Sequence, residues 1–378
     1  MSYITGVGLT PYGKHPGRST LDLMSEAATA ALADAQLERR DVDGLLCGYS
    51  TTYPHLMLST VFAEHYGLTP TYAHAMLLGG ATGFGMVMLA HHLAEAGVAR
   101  NILVVAGENR LTGQGRDSAV QALAQVGSPV YEVPLGPIIP AYYGLVASRY
   151  MHEFSTTEED LAELAVLMRR HASMHPGAQF KDRISVADVL ASKPIASPLK
   201  LLDCCPVSDG GVAFVISRDR TNDFGVRIIG TGQAHTHQHV TAAPSLTQFG
   251  AAASAELAQS AAGTNLQDLR YLAIYDSFTI TLAILLEELG LAPRGLAGQR
   301  ARDGYFNQDG KLPLNTHGGL LSYGHCGVGG AMAHLVETHL QMTSRAGPRQ
   351  VRDAAVALLH GDGGVLSSHV SLVLEAAR

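Results

Sequence analysis

The chain has 378 residues, of which 47% are hydrophobic and 16% charged, and this is enough to bury one large core or two fused ones. Its formal net charge of −7, without a long basic run, argues against nucleic acid as a partner. The sequence has no apolar run long enough for a membrane span and no signal-peptide pattern, so we expect a cytoplasmic protein.

The cysteines indicate neither a metal site nor a disulfide framework. Cys47, Cys204, Cys205 and Cys326 lack metal-ligand spacing, and reduced cysteines are the rule in the cytoplasm. The glycine-rich residues 79–83 lack the lysine and the spacing of a phosphate-binding loop. We therefore expect no metal and no bound cofactor.

Strand-like and helix-like segments alternate through the first 110 residues. Ser19 is a suitable cap for a helix whose apolar positions recur at helical spacing, and residues 101–106 are continuously apolar, as in a strand buried on both faces. The predicted strands are 2–7, 42–49, 71–77 and 101–106, and the predicted helices begin at Ser19, at His55 and after the Gly79-Gly80 turn.

Residues 111–198 break this alternation. They are rich in proline early on, and Ser155-Thr156-Thr157-Glu158 has the pattern of a capping box that would start a helix at Ser155. We interpret this segment as an inserted loop or lid domain. A strand at 211–217 then completes an N-terminal half made of residues 1–110 and 199–220.

The C-terminal half, residues 221–378, repeats the order of the first. Its predicted strands are 226–230, 271–275, 356–360 and 368–374, and its predicted helices are 252–262, 278–289 (amphipathic) and 328–342. Two βαβαβ-like halves predict an α/β protein with five layers, α/β/α/β/α, and an internal pseudo-dyad.

Glycine-flanked histidines mark three segments near the C-terminus, and such segments let backbone N–H groups approach a substrate closely. The segments are Asn315-Thr316-His317-Gly318-Gly319, Gly324-His325 and His360-Gly361-Asp362-Gly363-Gly364. Their order resembles that of the thiolase superfamily, especially its sterol-carrier-protein-2 (SCP2) type branch, and the resemblance covers nearly the whole chain. Family members have Gly-His-Pro followed by Cys-x-Gly-x-Gly. Here Cys326 replaces the proline and His360 replaces the cysteine.

The resemblance implies the thiolase fold and a site that lacks the family's nucleophile. That nucleophilic cysteine is expected near residues 79–83, where Gly80 stands instead. The loss of a side chain leaves the backbone amide in place, so the resemblance implies that Gly80 and the backbone around Asp362 still form an oxyanion hole. Asn315 and His317 belong to the loop that lines the pocket of family members.

The resemblance also gives roles to the two histidines. His325 would bind the thioester oxygen, since an imidazole can donate a hydrogen bond to a developing enolate or titrate near neutral pH. His360 would move a proton at the substrate carbon. The alternatives are a buried structural histidine for His325 and drift at a disused position for His360.

The segment Tyr275-Asp276-Ser277-Phe278-Thr279 resembles the corresponding segment of the steroid side-chain aldolases in this superfamily, which also lack the cysteine. A phenol at Tyr275 could take a proton from a hydroxyl or return one. Tyr323 is a second catalytic candidate, with a structural role as its alternative. Asp276 is a third, and its alternative is to hold a loop or a histidine.

Three functions remain open from the sequence. The first is an acyl-CoA C–C lyase that acts by retro-aldol or aldol chemistry on a β-hydroxyacyl-CoA, with the CoA thioester as substrate. The second is a 3-ketoacyl-CoA thiolase or acyltransferase in which Cys326, another group or a partner subunit replaces the nucleophile. The third is a non-catalytic scaffold that binds acyl-CoA. The resemblance further implies a homodimer and a small zinc-ribbon/OB-fold (DUF35) partner protein.

Overall fold

A computed structural model describes residues 2–136 and 138–377 as alternating strands and helices. The strands of this described part are β1 (Ser2–Leu9), β2 (Gly44–Gly48), β3 (Tyr72–Met76), β4 (Asn101–Asn109), β5 (Pro194–Ala196), β6 (Leu199–Lys200), β7 (Asp209–Ser217), β8 (Val226–His235), β9 (Tyr271–Ile274), β10 (Val356–Gly363) and β11 (Ser368–Ala376). Its α-helices are α1 (Thr20–Ala35), α2 (Leu58–Tyr66), α3 (Thr82–Glu95), α4 (Arg116–Ala124), α5 (Ile139–Phe154), α6 (Glu158–Ala172), α7 (Val186–Ala191), α8 (Ala251–Ala262), α9 (Thr279–Glu288), α10 (Ala297–Arg302) and α11 (Val328–Met342).

The strand pairing shows the internal repeat directly. Nine strands form one sheet in the order β3-β2-β4-β7-β1-β8-β11-β10-β9 within the described residues. In the first half β2 runs parallel to β4, which is antiparallel to β7, and β7 is antiparallel to β1. The second half has the same pattern: β9 runs parallel to β10, β10 is antiparallel to β11, and β11 is antiparallel to β8. The two halves meet where β1 pairs with β8 over residues 2–4 and 226–228.

The helices lie in three layers around the two halves of the sheet. Helix α1 packs on β1 and β7, and α8 packs on β8 and β11. Helices α3 and α11 contact each other and strands of both halves, so the sheet wraps around them. The predicted five-layered α/β/α/β/α arrangement is confirmed.

Helix α9 is not amphipathic, which corrects the sequence prediction. All ten of its residues are buried, including Glu287 and Glu288 at its C-terminal end. The reason is that α5 and α6, from residues 111–198, cover the side that a surface helix would leave to water, while α8 and α10 pack on other sides. The carboxylate of Glu287 accepts a hydrogen bond of 2.6 Å from Tyr150 of α5, which keeps the buried acid partnered.

The start of α6 lies two residues later than its sequence pattern suggested. Thr157 is the N-cap and forms a capping box with Asp160, in which the Thr157 side chain accepts from the Asp160 amide. Ser155 instead ends α5, with a left-handed backbone at φ 55°. The two possible cap residues in this segment therefore have different positions: Ser155 ends α5, and Thr157 starts α6.

In the part of the chain that the structure describes, no helix combines the length and apolar character required to cross a bilayer.

The capping assignment predicts different costs for two similar substitutions. Thr157→Ala removes a side chain that satisfies a helix amide, and we expect it to lower the free energy of unfolding by about 1 kcal/mol. Ser155→Ala removes no cap, and its cost should stay below about 0.5 kcal/mol. Urea denaturation of both variants measures this difference, and equal costs would contradict the assignment.

Candidate active site

Chain segments that are distant in sequence meet at the carboxyl ends of β9 and β10. Tyr275 directly follows β9, and its amide donates a 3.0 Å hydrogen bond to the carbonyl oxygen of His360 in β10. The glycine turn that precedes α3 lies against the end of β10, where a Cβ added at Gly79 would be 2.7 Å from the amide nitrogen of Gly364. The carboxyl ends of parallel strands are the usual position of active sites in such folds.

Tyr275 and His325 form the central pair of the site. The phenol oxygen of Tyr275 lies 3.2 Å from Nε2 of His325, within hydrogen-bonding distance. Tyr275 is buried, whereas His325 keeps partial exposure, so a ligand reaches the pair from the side of His325. This is the arrangement in which a proton can pass between the two side chains.

Both members of the pair are neutral at physiological pH. Burial, and then the proximity of the acidic Asp362 side chain, raise the pKa of Tyr275 well above its ordinary value. Enclosure of the ring by protein, and then the positive charge of Arg110, lower the pKa of His325 to about 3. The imidazole is therefore an acceptor over the whole range in which enzymes usually work.

The His325 ring is positioned by its backbone and by a glycine of α11. The His325 amide donates to Oγ of Ser208 at 3.0 Å, and its carbonyl accepts from the Ser208 amide at the same distance. On the other side a Cβ added at Gly330 would lie 3.0 Å from Nδ1 of His325. A larger residue at position 330 would push the ring away from Tyr275.

Position 80 has no space for a side chain. A Cβ added at Gly80 would overlap both the phenol oxygen of Tyr275 and the carbonyl oxygen of Asp362. The phenol can move, but the carbonyl belongs to β10 and cannot move without shifting the strand. Tyr275 thus occupies the space that the side chain of a nucleophilic cysteine would need.

The Asp362 side chain lies behind Tyr275. Its Oδ2 accepts a 3.2 Å hydrogen bond from the phenol of Tyr143, which also lies 3.2 Å from the carbonyl of Gly364. Its Oδ1 has no hydrogen-bond partner in the described structure. Burial raises the pKa of Asp362 well above its ordinary value, because a charged carboxylate is unfavourable where water is excluded.

Asp276 supports the loop that carries His325 and does not contact the Tyr275–His325 pair. It accepts from the Leu320 amide at 2.7 Å, and Nε2 of His334 lies 3.1 Å from the same oxygen. Leu320 belongs to a π-helical turn over Gly319–Tyr323, and the left-handed backbone of Gly319 leaves space for the carboxylate. This geometry fits the structural alternative for Asp276, a carboxylate that holds a loop and a histidine.

Asn315 and His317 are buried beneath the site. The side chain of Asn315 bonds both backbone groups of Ile274, at 2.9 and 2.7 Å, and so fixes the end of β9 directly before Tyr275. His317 packs edge-on against Tyr323 and His334, and neither of its ring nitrogens has a hydrogen-bond partner among the described residues.

Tyr323 lies in an aromatic group rather than with Tyr275. Its ring packs against Tyr12, His175 and His317 at centroid separations of 4.8 to 5.3 Å. Burial raises the pKa of the Tyr323 phenol, which is fully enclosed. The structure brings Tyr275 and His325 together but leaves Tyr323 in this buried group.

His360 faces away from the pair. It lies within β10, not on a loop, and its ring nitrogens are 2.8 Å from Oγ of Ser371 and 3.1 Å from Nδ1 of His369. Gly361 is the residue that faces α3, because a Cβ there would meet the ring of Phe84. Successive strand residues point to opposite faces, so a shift of one residue in the aligned motif reverses the direction of the side chain.

Three side chains near the Tyr275–His325 pair were not predicted from the sequence to belong to the site. Tyr143 and Ser277 flank its phenol, and a hydrogen bond with Ser277 counteracts part of the rise in the Tyr275 pKa. Arg110 supplies the charge next to His325 and is paired with Glu108 at 3.2 Å. No sequence motif marks Tyr143 or Arg110, and Ser277 lies inside the segment Tyr275–Thr279 without a role assigned from the sequence. Among the described residues no cluster of three or more metal-binding side chains is present.

Comparisons with known proteins identify the family of this chain. Residues 232–376 match the family described as Thiolase C-terminal domain-like. The chain is 30% identical to an acetyl-CoA acetyltransferase of Methanothermobacter thermautotrophicus, over 97% of this chain and 98% of that protein. It is 34% identical to a steroid side-chain-cleaving aldolase of Thermomonospora curvata, over 84% of this chain and 85% of the relative. A solved Ltp2-ChsH2(DUF35) aldolase structure superposes with a TM-score of 0.87 at 32% identity, covering 100% of this chain and 98% of that one.

The chain therefore belongs to the thiolase superfamily. Within it the protein is of the SCP2-type, thiolase-like branch, as its sequence motifs predicted. The prediction of an enzyme of this superfamily is likewise confirmed, and enzymes of this kind act on CoA thioesters.

The placement of His360 predicts how stability depends on pH. Burial, and then the nearby His369, lower the pKa of His360 well below its ordinary value of 6.5. Below pH 6.5 the unfolded chain binds a proton at this position and the folded chain does not, so folding free energy is lost as pH falls. His360→Gln should therefore flatten the pH dependence of the unfolding free energy relative to the parent protein, by up to about 1.4 kcal/mol per pH unit below 6.5.

Urea denaturation at pH 7.5, 6.5 and 5.5 checks this expectation. Groups other than His360 and its neighbour contribute equally to both proteins and cancel in the comparison. Parallel curves for the parent and the variant would show that His360 is protonated in the folded state.

Proposed function

We propose that the protein is a cysteine-free acyl-CoA C–C lyase that cleaves a β-hydroxyacyl-CoA by a retro-aldol reaction, or forms one in reverse. The observation that carries this proposal is the overlap at position 80, where the Tyr275 phenol fills the space of the family's nucleophile. The similarity to a steroid side-chain-cleaving aldolase and to a solved aldolase structure supports it. A retro-aldol reaction requires proton transfer and an oxyanion site but no covalent acyl-enzyme.

The first step moves the substrate's hydroxyl proton. The Tyr275 oxygen accepts this proton while its own proton passes to Nε2 of His325, 3.2 Å away. The bond between the α and β carbons then breaks: the β carbon becomes a carbonyl, and the electron pair moves into the thioester enolate. A neutral imidazole is the form that can accept the proton, and the low pKa of His325 keeps it in that form.

The second step returns the proton to carbon. A protonated His325 is unstable in its enclosed position next to Arg110, so it gives the proton back through Tyr275 to the α carbon. The products are an aldehyde or ketone and a shortened acyl-CoA. The thioester oxygen would be bound by the Gly80 amide and the backbone around Asp362, two segments that lie in direct contact.

The acid–base work is therefore assigned to Tyr275 and His325, and the other predicted residues take supporting roles in the proposal. Asp276 and Asn315 hold the segments that carry the pair. His360 is not assigned to catalysis, because its ring nitrogens point to Ser371 and His369 on the outer side of β10.

The second candidate is a thiolase or acyltransferase, favoured by the similarity to an acetyl-CoA acetyltransferase. Cys326 would be its substitute nucleophile. However, burial raises the pKa of Cys326 to about 12, and its thiol lies near Tyr12 rather than near the Tyr275–His325 pair. A thiol that stays protonated is a weak nucleophile, so the structure supports a lyase better than a thiolase or acyltransferase that uses Cys326.

The proposal includes two kinds of protein partner. Strand β3 forms the outer edge of the sheet, and its backbone is available to pair with β3 of a second copy in a homodimer. A DUF35-type partner is supported by the DUF35 component of the similar aldolase structure. The apolar side chains of Val130, Tyr131 and Leu135 are exposed beside the helices that cover the site, and they are suited to such a contact.

Removal of a single oxygen tests the role of Tyr275. Tyr275→Phe should lower kcat for cleavage of a β-hydroxyacyl-CoA by about 10²- to 10⁴-fold and leave the fold unchanged. Tyr305→Phe, a tyrosine of the C-terminal half that lies outside the site, is the matched control and should keep the parent rate. Mass spectrometry of the products, with and without a DUF35 partner, measures the reaction, and mass spectrometry of the protein checks for an acyl-enzyme. An acyl-enzyme, or no cleavage of the β-hydroxyacyl-CoA by the parent protein, would falsify the lyase. Full activity in Tyr275→Phe would contradict the role given to Tyr275.

Addition of a single carbon tests the overlap at position 80. Gly80→Ala must displace Tyr275 or β10, so we expect a loss of about 1–3 kcal/mol in stability together with nearly all activity. Gly115→Ala adds the same carbon where nothing lies within 4 Å, and it should behave like the parent. Equal behaviour of the two variants in denaturation and activity assays would show that Tyr275 does not fill this space.

A further inference from the structure

A second cavity lies at the opposite edge of the sheet from the active site. It has a volume of about 650 Å³ and is bordered by Arg270, directly before β9, and by Asp353, shortly before β10. Tyr275 lies at the other end of β9, and five residues of extended chain span on the order of 16 Å. The cavity is therefore separated from the Tyr275–His325 pair by the length of the strand.

The lining of this cavity is strongly basic in an acidic protein. Five cationic side chains line it against two carboxylates, Asp309 and Asp353. Asp353 pairs with Arg270 at 3.3 Å. The other four cations form no salt bridge in the described structure: they are Arg170, Arg183, Lys311 and Arg352. In a chain whose formal net charge is −7, four cations without a carboxylate partner around one concave surface favour an anionic ligand.

The cavity also contains a buried polar group that lacks a partner. His171 lines it with only 1% of its surface exposed. Neither ring nitrogen makes a hydrogen bond of ordinary geometry within the described residues, although the backbone of Leu314 and Asn315 is close. A buried imidazole without a partner is costly, and a ligand that accepts its N–H would remove that cost.

Two polar side chains at the cavity, Arg170 and Gln308, are held in place before any ligand arrives. Nη1 of Arg170 donates to Oδ1 of Asn307 at 2.9 Å, which fixes its guanidinium at the wall. Nε2 of Gln308 bonds the carbonyls of Pro348 and Gln350 at 3.0 and 3.2 Å, so the two loops that form the rim are tied together. Preorganised donors bind an anion at a lower entropic cost than flexible ones.

We propose that this cavity binds a multivalent phosphate-type anion, a diphosphate group above all. Arg183, Lys311 and Arg352 supply the charge, and His171 donates one hydrogen bond from the floor. Guanidinium groups suit phosphate oxygens because their N–H donors match them two at a time. The same chemistry is present in a free nucleoside diphosphate and in the diphosphate of coenzyme A, so the test must separate these two sources.

Calorimetric titration of the full-length protein with inorganic pyrophosphate, ADP and CoA tests the proposal. We expect saturable binding of one pyrophosphate or ADP per chain. Binding of ADP that persists in the presence of saturating CoA identifies a free nucleotide as the ligand. Displacement of ADP by CoA identifies the CoA diphosphate instead.

The variants show whether binding occurs in this cavity. Arg352→Gln and Arg183→Gln should each weaken ADP binding by about tenfold, a loss equivalent to one charged hydrogen bond. Arg40→Gln removes the same charge from an exposed position paired with Glu38 and should have no effect. His171→Phe should weaken binding, whereas His171→Gln, which keeps a donor, should not.

Two outcomes would overturn this site: no saturable heat with any of the three ligands, or equal affinity in the parent, Arg352→Gln and Arg183→Gln. Loss of ADP binding in Tyr275→Phe, with parent affinity in the arginine variants, would assign the anion to the active site and also reject the proposal. None of these measurements uses the lyase reaction, so they are independent of the function proposed above.

Discussion

The geometry of the site depends on direct packing of one backbone segment against another, with no side chain between them. The turn at residues 78–81 lies against residues 362–364 at the end of β10, and glycines stand at the points of contact on both segments. Gly79 and Gly364 also adopt left-handed backbone conformations, with φ of 57° and 70°. This contact joins the N-terminal half to the C-terminal half, and it decides how close the start of α3 comes to Tyr275.

The electrostatic state of the pair follows from the same close packing. When two protein segments approach so closely, little water remains, and charged forms become unfavourable. For this reason the pKa of the Tyr275 phenol rises, that of the His325 imidazole falls to about 3, and that of the Asp362 carboxyl rises. A site of this type favours reactions in which protons move between neutral groups over reactions that start from a thiolate.

Much of the fold could be read from the sequence, because hydrophobic patterns report local structure well. Helix α11 has the predicted bounds, Val328–Met342, and the order of strands in both halves is as expected. The prediction for His360 depended on a partner that the sequence does not reveal. A glycine-rich segment looks like a loop, yet residues 360–363 continue β10 because β11 pairs with them, Asp362 opposite His369. Once the segment is a strand, alternation decides which side chain faces the site.

Other details depended on tertiary contacts with no local signal. Helix α9 was predicted to be amphipathic, and only its contacts with α5, α6, α8 and α10 explain why all ten of its residues are buried. Tyr143 reaches Asp362 across 219 positions of sequence, from an insertion whose orientation no pattern defined. The sequence showed that glycine replaces the family's nucleophilic cysteine at position 80. Only the structure shows why no larger residue fits there: the Tyr275 side chain occupies the space.

The burial of α9 limits how the enzyme can admit its substrate. Helices α5 and α6 rest on a helix whose residues are all buried, so separating them from it would expose apolar side chains to water. We therefore expect the covering segment to stay in place during turnover. A substrate would then enter beside the partly exposed ring of His325 and the turn at residues 78–80.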